Sequence, residues 1–254
     1  MSAVPSLASG AVSDELESRA AIGVDPVALI GAAAAYSTIL PSKGRYVLVD
    51  AGAARLFMIE DGKVADSMRV IVGKPASATP VMKSMLQSAT LNPYWNVPTD
   101  LAQTLIAPRV IAQGASYLRK NRYILVSAFG AEATEISAKS IDWKEVAAGR
   151  EKAFVRQLPG RSNAMGRIKF GFAGSDGIFL HDTPDKQLFA ASDRSLSNGC
   201  VRLEDAPRLA RWLFGAEPAP PSADPEQVVP MPSGVPIVIT YSRAPAPIAL
   251  ASLR

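Results

Sequence analysis

One histidine and one cysteine, His181 and Cys200, are the residues of this chain best suited to proton transfer and nucleophilic attack near neutral pH. Fifteen residues separate His181 from Ser197, enough for a chain to turn away from a strand and return beside it. Cys200 sits in Ser197-Asn198-Gly199-Cys200-Val201-Arg202. A free thiol has a pKa of about 8.5 and attacks well only as thiolate. An imidazole within reach can take the thiol proton and later give it to a leaving amine, an effect of about 10²- to 10⁴-fold. Gly199 lets the backbone approach a substrate closely. The N–H groups of Gly199 and Cys200 are candidate donors to the oxygen that becomes negative during attack on a carbonyl, each typically worth about 10²- to 10³-fold. Together these parts describe covalent acyl transfer through a thioester. Residue types alone leave the plainer reading open: a lone cysteine as a small buried hydrophobe and a lone histidine as a satisfied structural residue.

The same scarcity excludes a good deal. With one cysteine and one histidine in 254 residues, no disulfide closes within the chain and no zinc site of several Cys and His ligands is available. The HExxH helix needs two histidines, and no two glycines stand two or four apart, which removes GxGxxG and GxSxG; a P-loop is also absent. The chemistry calls for neither metal nor organic cofactor. Apolar residues make up 48% and charged residues 20% of the chain, ordinary globular usage. No apolar run approaches the roughly 18 to 20 residues that cross a bilayer. The excess of 27 Lys and Arg over 23 Asp and Glu suits an anionic partner, without the stripe that nucleic acid needs.

The elements that must position the pair are mainly strands. Residues 1–42 read as an alanine-rich, mostly helical lead-in lacking a clean secretory signal. Strands are expected at Arg45–Asp50 and Arg55–Glu60, then from Lys63 to Gly73 after the hairpin signal Asp61-Gly62. Further strands are expected at 86–91, 153–158, 167–172, 177–182 and 236–241, giving an antiparallel, hairpin-rich β protein. Helical periodicity appears in Leu101, Leu105, Ile106 and Val110, and again over 204–214. Residues 99–151 interrupt the strands and read as an insertion over one face. The Pro-rich stretch 216–235 reads as an irregular connection, and 244–254 as a tail.

The segments Arg167 to Phe172, Gly177-Ile178-Phe179-Leu180-His181-Asp182-Thr183-Pro184 and Ser197 to Leu203 resemble the L,D-transpeptidase (YkuD-like) catalytic domain. The likeness is to its large periplasmic branch with an inserted lid. Supporting matches are Thr79-Pro80, the segment from Asn92 to Pro98, and Leu188-Phe189 followed by Arg194. The resemblance runs from about Gly44 to Tyr241 and implies a mainly-β catalytic domain with helical insertions, a β-sandwich over 43–243 with 99–151 as its lid.

It also implies a function: peptidoglycan cross-linking in the periplasm or cell envelope. By the resemblance, Cys200 is the nucleophile that releases D-alanine from a tetrapeptide stem, and His181 is its general base and acid. The backbone carbonyl of Asp182 orients the imidazole. Peptidoglycan stem peptides are then the partners and carbapenem β-lactams the covalent inhibitors. Where many relatives carry a second histidine this chain has Asn198, and where relatives of this branch place a tyrosine it has Phe179. Gly199 is the expected backbone oxyanion donor. Arg202 and Arg194 are candidate carboxylate anchors or structural residues. Tyr94 and Trp95 line the cleft or pack in the core, and Ser197 orients the pair or caps its turn. Water as acceptor would make the same thioester that of an L,D-carboxypeptidase or cross-link hydrolase. A non-catalytic peptidoglycan-binding module is the reading from another class.

Overall fold

The computed structural model describes residues 43–130, 132–174, 177–216, 218 and 224–241. The lead-in 1–42, the tail 244–254 and residues 219–223 of the Pro-rich stretch lie outside the described residues. The first hairpin forms where expected: β1 (Arg45–Asp50), β2 (Arg55–Glu60) and β3 (Lys63–Gly73). Asp61 and Gly62 both take positive φ, +50° and +74°, the pairing that matches strand twist in a two-residue turn. β4 (Met82–Leu91), β9 (Ile168–Phe172), β10 (Leu180–His181), β11 (Ser195–Ser197), β12 (Val201–Leu203) and β13 (Gln227–Thr240) complete a nine-stranded sheet.

That sheet returns on itself. Its order is β11-β3-β12-β10-β9-β4-β13-β1-β2, and β2 also pairs with β3. The two layers of the expected sandwich are thus opposing walls of one curled sheet. β3 makes this possible by changing partners along its length. Residues Lys63 to Arg69 pair with β2, Val70 and Ile71 with β12, and Val72 and Gly73 with β11. Inward residues from the walls, among them Val47, Val49, Leu56, Met58, Phe170 and Ile237, form the core. Each such side chain contributes about 1.5–3 kcal/mol when fully buried. Helix Ala206–Phe214 packs against this core through Ala206, Leu209, Ala210 and Leu213, a spacing of three and four residues. The Asp205 side chain caps its start by accepting from the Arg208 N–H, and Gly215 ends it in the left-handed conformation.

Two expectations change. The pairings β1–β13, β10–β12 and β11–β3 are parallel. Such pairs join strands separated by crossovers, which hairpin signals do not report. The last strand also begins at Gln227, inside the Pro-rich stretch, where a register shift between Pro230 and Val235 accommodates the prolines.

A second sheet lies between β4 and β9 in the chain. β5 (Trp95–Asn96), β8 (Val155–Gln157), β6 (Tyr123–Val126) and β7 (Glu135–Ile136) form it in that order. It has a hydrophobic cluster of its own, including Val97, Ile106, Val110, Leu125 and Val155. Helical residues Thr99–Leu101 and Ala107–Gln113 flank a π-helical turn, Ala102–Ile106. Pro108 lacks an N–H and its ring crowds the carbonyl four residues back, a local reason for the wider turn. The turn divides the expected apolar face: Ala102 and Ile106 go to the cluster, while Leu105 stays 38% exposed. No helix among the described residues is long and apolar enough to cross a membrane.

Candidate active site

His181 ends β10, and Cys200 precedes β12. The two strands are parallel neighbours, with Leu180 opposite Val201 and His181 opposite Arg202. Adjacent strands lie about 4.8 Å apart. Imidazole and thiol therefore open into one cavity of about 450 Å³.

The imidazole is buried and its Nδ1 lies 2.5 Å from the Asp182 carbonyl oxygen. A carbonyl only accepts, so a neutral ring carries its proton on Nδ1 and leaves the Nε2 lone pair available. Burial pushes the pKa from 6.5 to about 4, against the raising effect of that hydrogen bond; the Arg202 and Lys169 charges lower it further. The Asp182 carboxylate fixes the carbonyl's position. It accepts from the Arg167 backbone N–H at 3.0 Å and from Lys186 Nζ at 2.7 Å. Gly166, with φ +63°, passes so near that an added Cβ would lie 2.5 Å from the Asp182 side chain.

Burial raises the half-buried Cys200 thiol above its usual pKa, outweighing the lowering effects of its backbone hydrogen bond at Phe179 and of Arg202. Its Sγ lies 3.5 Å from the Gly177 carbonyl oxygen. Both shifts favour the uncharged forms, so thiol and imidazole rest as a neutral pair.

The turn ahead of the thiol is tied from two sides. Ser197 Oγ donates to the Cys200 carbonyl at 2.6 Å and accepts from the Gly199 N–H at 3.1 Å. Thr79 Oγ1 donates to the Gly199 carbonyl at 2.8 Å and accepts from the Gly73 N–H at 2.9 Å. Tyr241 in turn donates its hydroxyl to the Thr79 carbonyl at 2.7 Å. Gly199 takes φ +118°, and a Cβ there would sit 3.1 Å from Ile178. This corrects one expectation: the Gly199 N–H already serves Ser197. The Cys200 N–H has no hydrogen-bond partner among the described residues.

The remaining expected residues divide between cavity and scaffold. Tyr94, Trp95, Phe179, Ser197, Asn198 and Arg202 line the cavity. Tyr94 lies under the Arg156 guanidinium at 4.8 Å. Arg202 is only loosely paired, 3.7 Å from Asp185. Ser197 is buried with its hydroxyl engaged in the turn, so it positions Cys200. Arg194 does not line the cavity. Its guanidinium donates to the carbonyls of Val70, Ala191, Ala53 and Ala54 at 3.1–3.4 Å, which makes it a strut between loops and overturns its candidacy as an anchor.

Three groups in or behind the cavity carry no site role in the sequence reading. Lys169 stands opposite His181 on β9 and places its ammonium 5.3 Å from the Phe179 ring centre. Its partner Glu226 is 3.3 Å away. Thr79 holds the turn. Leu101, Leu105 and Phe129 form an apolar wall contributed by the segment between β4 and β9. Among the described residues lining the cavity there is no Asp or Glu, while Lys169 and Arg202 put two cations in its wall, a composition suited to a carboxylate.

The comparisons with known proteins bear on this arrangement. The family model described as "L,D-transpeptidase catalytic domain" matches residues 44–238, which include the curled sheet's paired segments and the intervening second sheet. A relative from Haemophilus influenzae, named "Putative L,D-transpeptidase", is 35% identical over 179 residues, covering 69% of this chain and 35% of its own. The chain thus spans about a third of that relative's length. Among solved structures, an L,D-transpeptidase from Mycobacterium smegmatis is 15% identical, covering 77% of this chain and 58% of that one, with a TM-score of 0.35. The E. faecium catalytic domain acylated by ertapenem is 14% identical, covering 78% of this chain and 97% of that one, with a TM-score of 0.35. With the family model spanning both walls of the sheet and the relative agreeing over most of the chain, this protein belongs to the L,D-transpeptidase catalytic-domain family.

Proposed function

We propose that the protein is a cysteine acyltransferase acting on peptidoglycan in the cell envelope, with Cys200 as nucleophile and His181 as general base and acid. The observation that carries this reading is the shared cavity: one thiol, one neutral imidazole with a free Nε2, and two cations, with no carboxylate among the described lining residues. A tetrapeptide stem ends in a carboxylate one residue beyond the bond to be broken, and Lys169 and Arg202 are the groups to hold it.

Attack forms a bond from Sγ to the carbonyl carbon while the thiol proton passes to Nε2 of His181. The oxygen, now negative, takes a hydrogen bond from the Cys200 N–H, and the Asn198 amide on the cavity wall is a side-chain candidate for a second. Collapse breaks the carbon–nitrogen bond, His181 returns its proton to the leaving amine, and D-alanine departs. The amine of a second stem then attacks the thioester and gives its proton to His181. The carbon–sulfur bond breaks, and the thiolate takes that proton back. Leu101, Leu105 and Phe129 make one wall apolar, which favours transfer by disfavouring water at the thioester.

Incubating the protein with a disaccharide tetrapeptide tests the assignment. The expected products by mass spectrometry are free D-alanine and a cross-linked dimer. A tripeptide without dimer would reassign the protein to hydrolysis, and no D-alanine release would remove the assignment.

Thr79 is a positioning residue in this scheme. Thr79→Val keeps the shape but leaves the buried Gly199 carbonyl and Gly73 N–H unpaired, a cost of about 1–3 kcal/mol for each unsatisfied group. The variant is expected to melt lower and to acylate with a carbapenem about tenfold more slowly or worse, with Thr79→Ser close to the parent. Parental acylation by Thr79→Val would show that the turn holds without it.

A further inference from the structure

Behind the loop that borders the catalytic cavity lies a second cavity of about 330 Å³, lined by Asn92, Gly160, Arg161, Gly166 and Arg167. We propose that it binds carboxylates of a peptidoglycan stem away from the reacting bond, an inference that rests on the reading of the substrate given above.

Charge is the first support. Neither the Arg161 nor the Arg167 guanidinium has a hydrogen-bond or ion-pair partner among the described residues, and no Asp or Glu lines the cavity. The neighbouring carboxylates are already engaged. Asp182 accepts from Lys186 and from the Arg167 backbone, and Glu226 accepts from the Tyr94 N–H at 2.6 Å and from Lys169. Arg122 adds a third cation beside Gly160, its Nε 3.4 Å from where a Cβ on Gly160 would be, though its guanidinium also donates to the Pro159 carbonyl at 3.1 Å. Guanidinium groups bind carboxylates through paired hydrogen bonds, and they do so best where nothing internal competes.

Shape and place are the second. Gly166, whose added Cβ would meet the Asp182 side chain, contributes only backbone to this cavity wall. The same loop serves both cavities: Ala164 and Met165 face the catalytic one, Arg161, Gly166 and Arg167 the other. Tyr94 and Asn92 divide in the same way across the neighbouring turn. A transferase must hold two stems, each bearing several carboxylates. The loop 160–167 contributes residues to the walls of both cavities, the thiol's and the second one.

The test compares binding to purified sacculi by the full chain carrying Cys200→Ala, with and without R161Q and R167Q. The double arginine change is expected to weaken binding about tenfold and to flatten its salt dependence. Sacculi with carboxylates amidated should bind both proteins equally weakly. Inorganic phosphate at matched ionic strength should compete no better than chloride if the extended stem is the ligand; selective competition would identify a general oxyanion site and overturn the stem assignment. Equal binding of the two proteins to native sacculi, or a difference that survives amidation, would also overturn the proposal. Carbapenem acylation of R161Q/R167Q with Cys200 intact should match the parent, which shows the fold and catalytic cavity undisturbed; slower acylation would place these arginines in the scaffold instead. A parent that forms no adduct would undo the catalytic reading while the sacculus comparison still reports on this site.

Discussion

Cys200→Ala is expected to abolish transfer, on the order of 10⁵-fold or more, while leaving thermal stability close to the parent. No other thiol exists in the chain, and the Ser197 hydroxyl beside it is engaged with the Cys200 carbonyl and the Gly199 N–H. The thiol is half-buried and its hydrogen bonds, to the backbone at Gly177 and Phe179, are weak ones of a small side chain, so alanine is expected to replace it at little cost to folding. Normal cross-linking by this variant in a muropeptide analysis would refute the thioester route. A collapsed melting curve would show instead that the cysteine is structural.

His181→Ala is expected to lower turnover by about a thousandfold, because thiol deprotonation and leaving-group protonation are lost together. The buried ring also makes a prediction about acid. In the unfolded chain it titrates at about 6.5, and in the folded protein at about 4, so the unfolded chain takes the proton first as pH falls. The contribution is complete above about pH 6.5 and is lost between there and about pH 4, on the order of 3 kcal/mol in all. Urea denaturation of parent and His181→Gln across that interval should show their stability difference narrowing toward the acid end. The acid limb of kcat/KM should fall near 4. A limb near 6.5, or a stability difference independent of pH, would contradict the buried neutral ring.

Residues whose signals are local were legible in the sequence. Asp61-Gly62 announced its hairpin because both positions must take positive φ. Cys200 and His181 stood out through rarity and through motifs that span a single turn each. What escaped depends on contacts between distant segments. Thr79 meets Gly199 across 120 residues, and no local pattern encodes that bond. Lys169 alternates with the inward residues Ile168 and Phe170 and so reads as solvent-facing, yet register places it opposite His181. Gly199 looked free to stabilise an oxyanion because the competing Ser197 hydroxyl, two residues away, can serve either the turn or the substrate. Arg194 allowed two readings for a related reason, and the structural one holds: a guanidinium seeks oxygen, and four backbone carbonyls satisfy it as well as a ligand would.

The most direct test is an intact-protein mass spectrum after treatment with meropenem. The account predicts that the parent gains the mass of one carbapenem, that peptide mapping puts it on Cys200, and that Cys200→Ala gains nothing. An unmodified parent, or an adduct retained by the alanine variant, would contradict it.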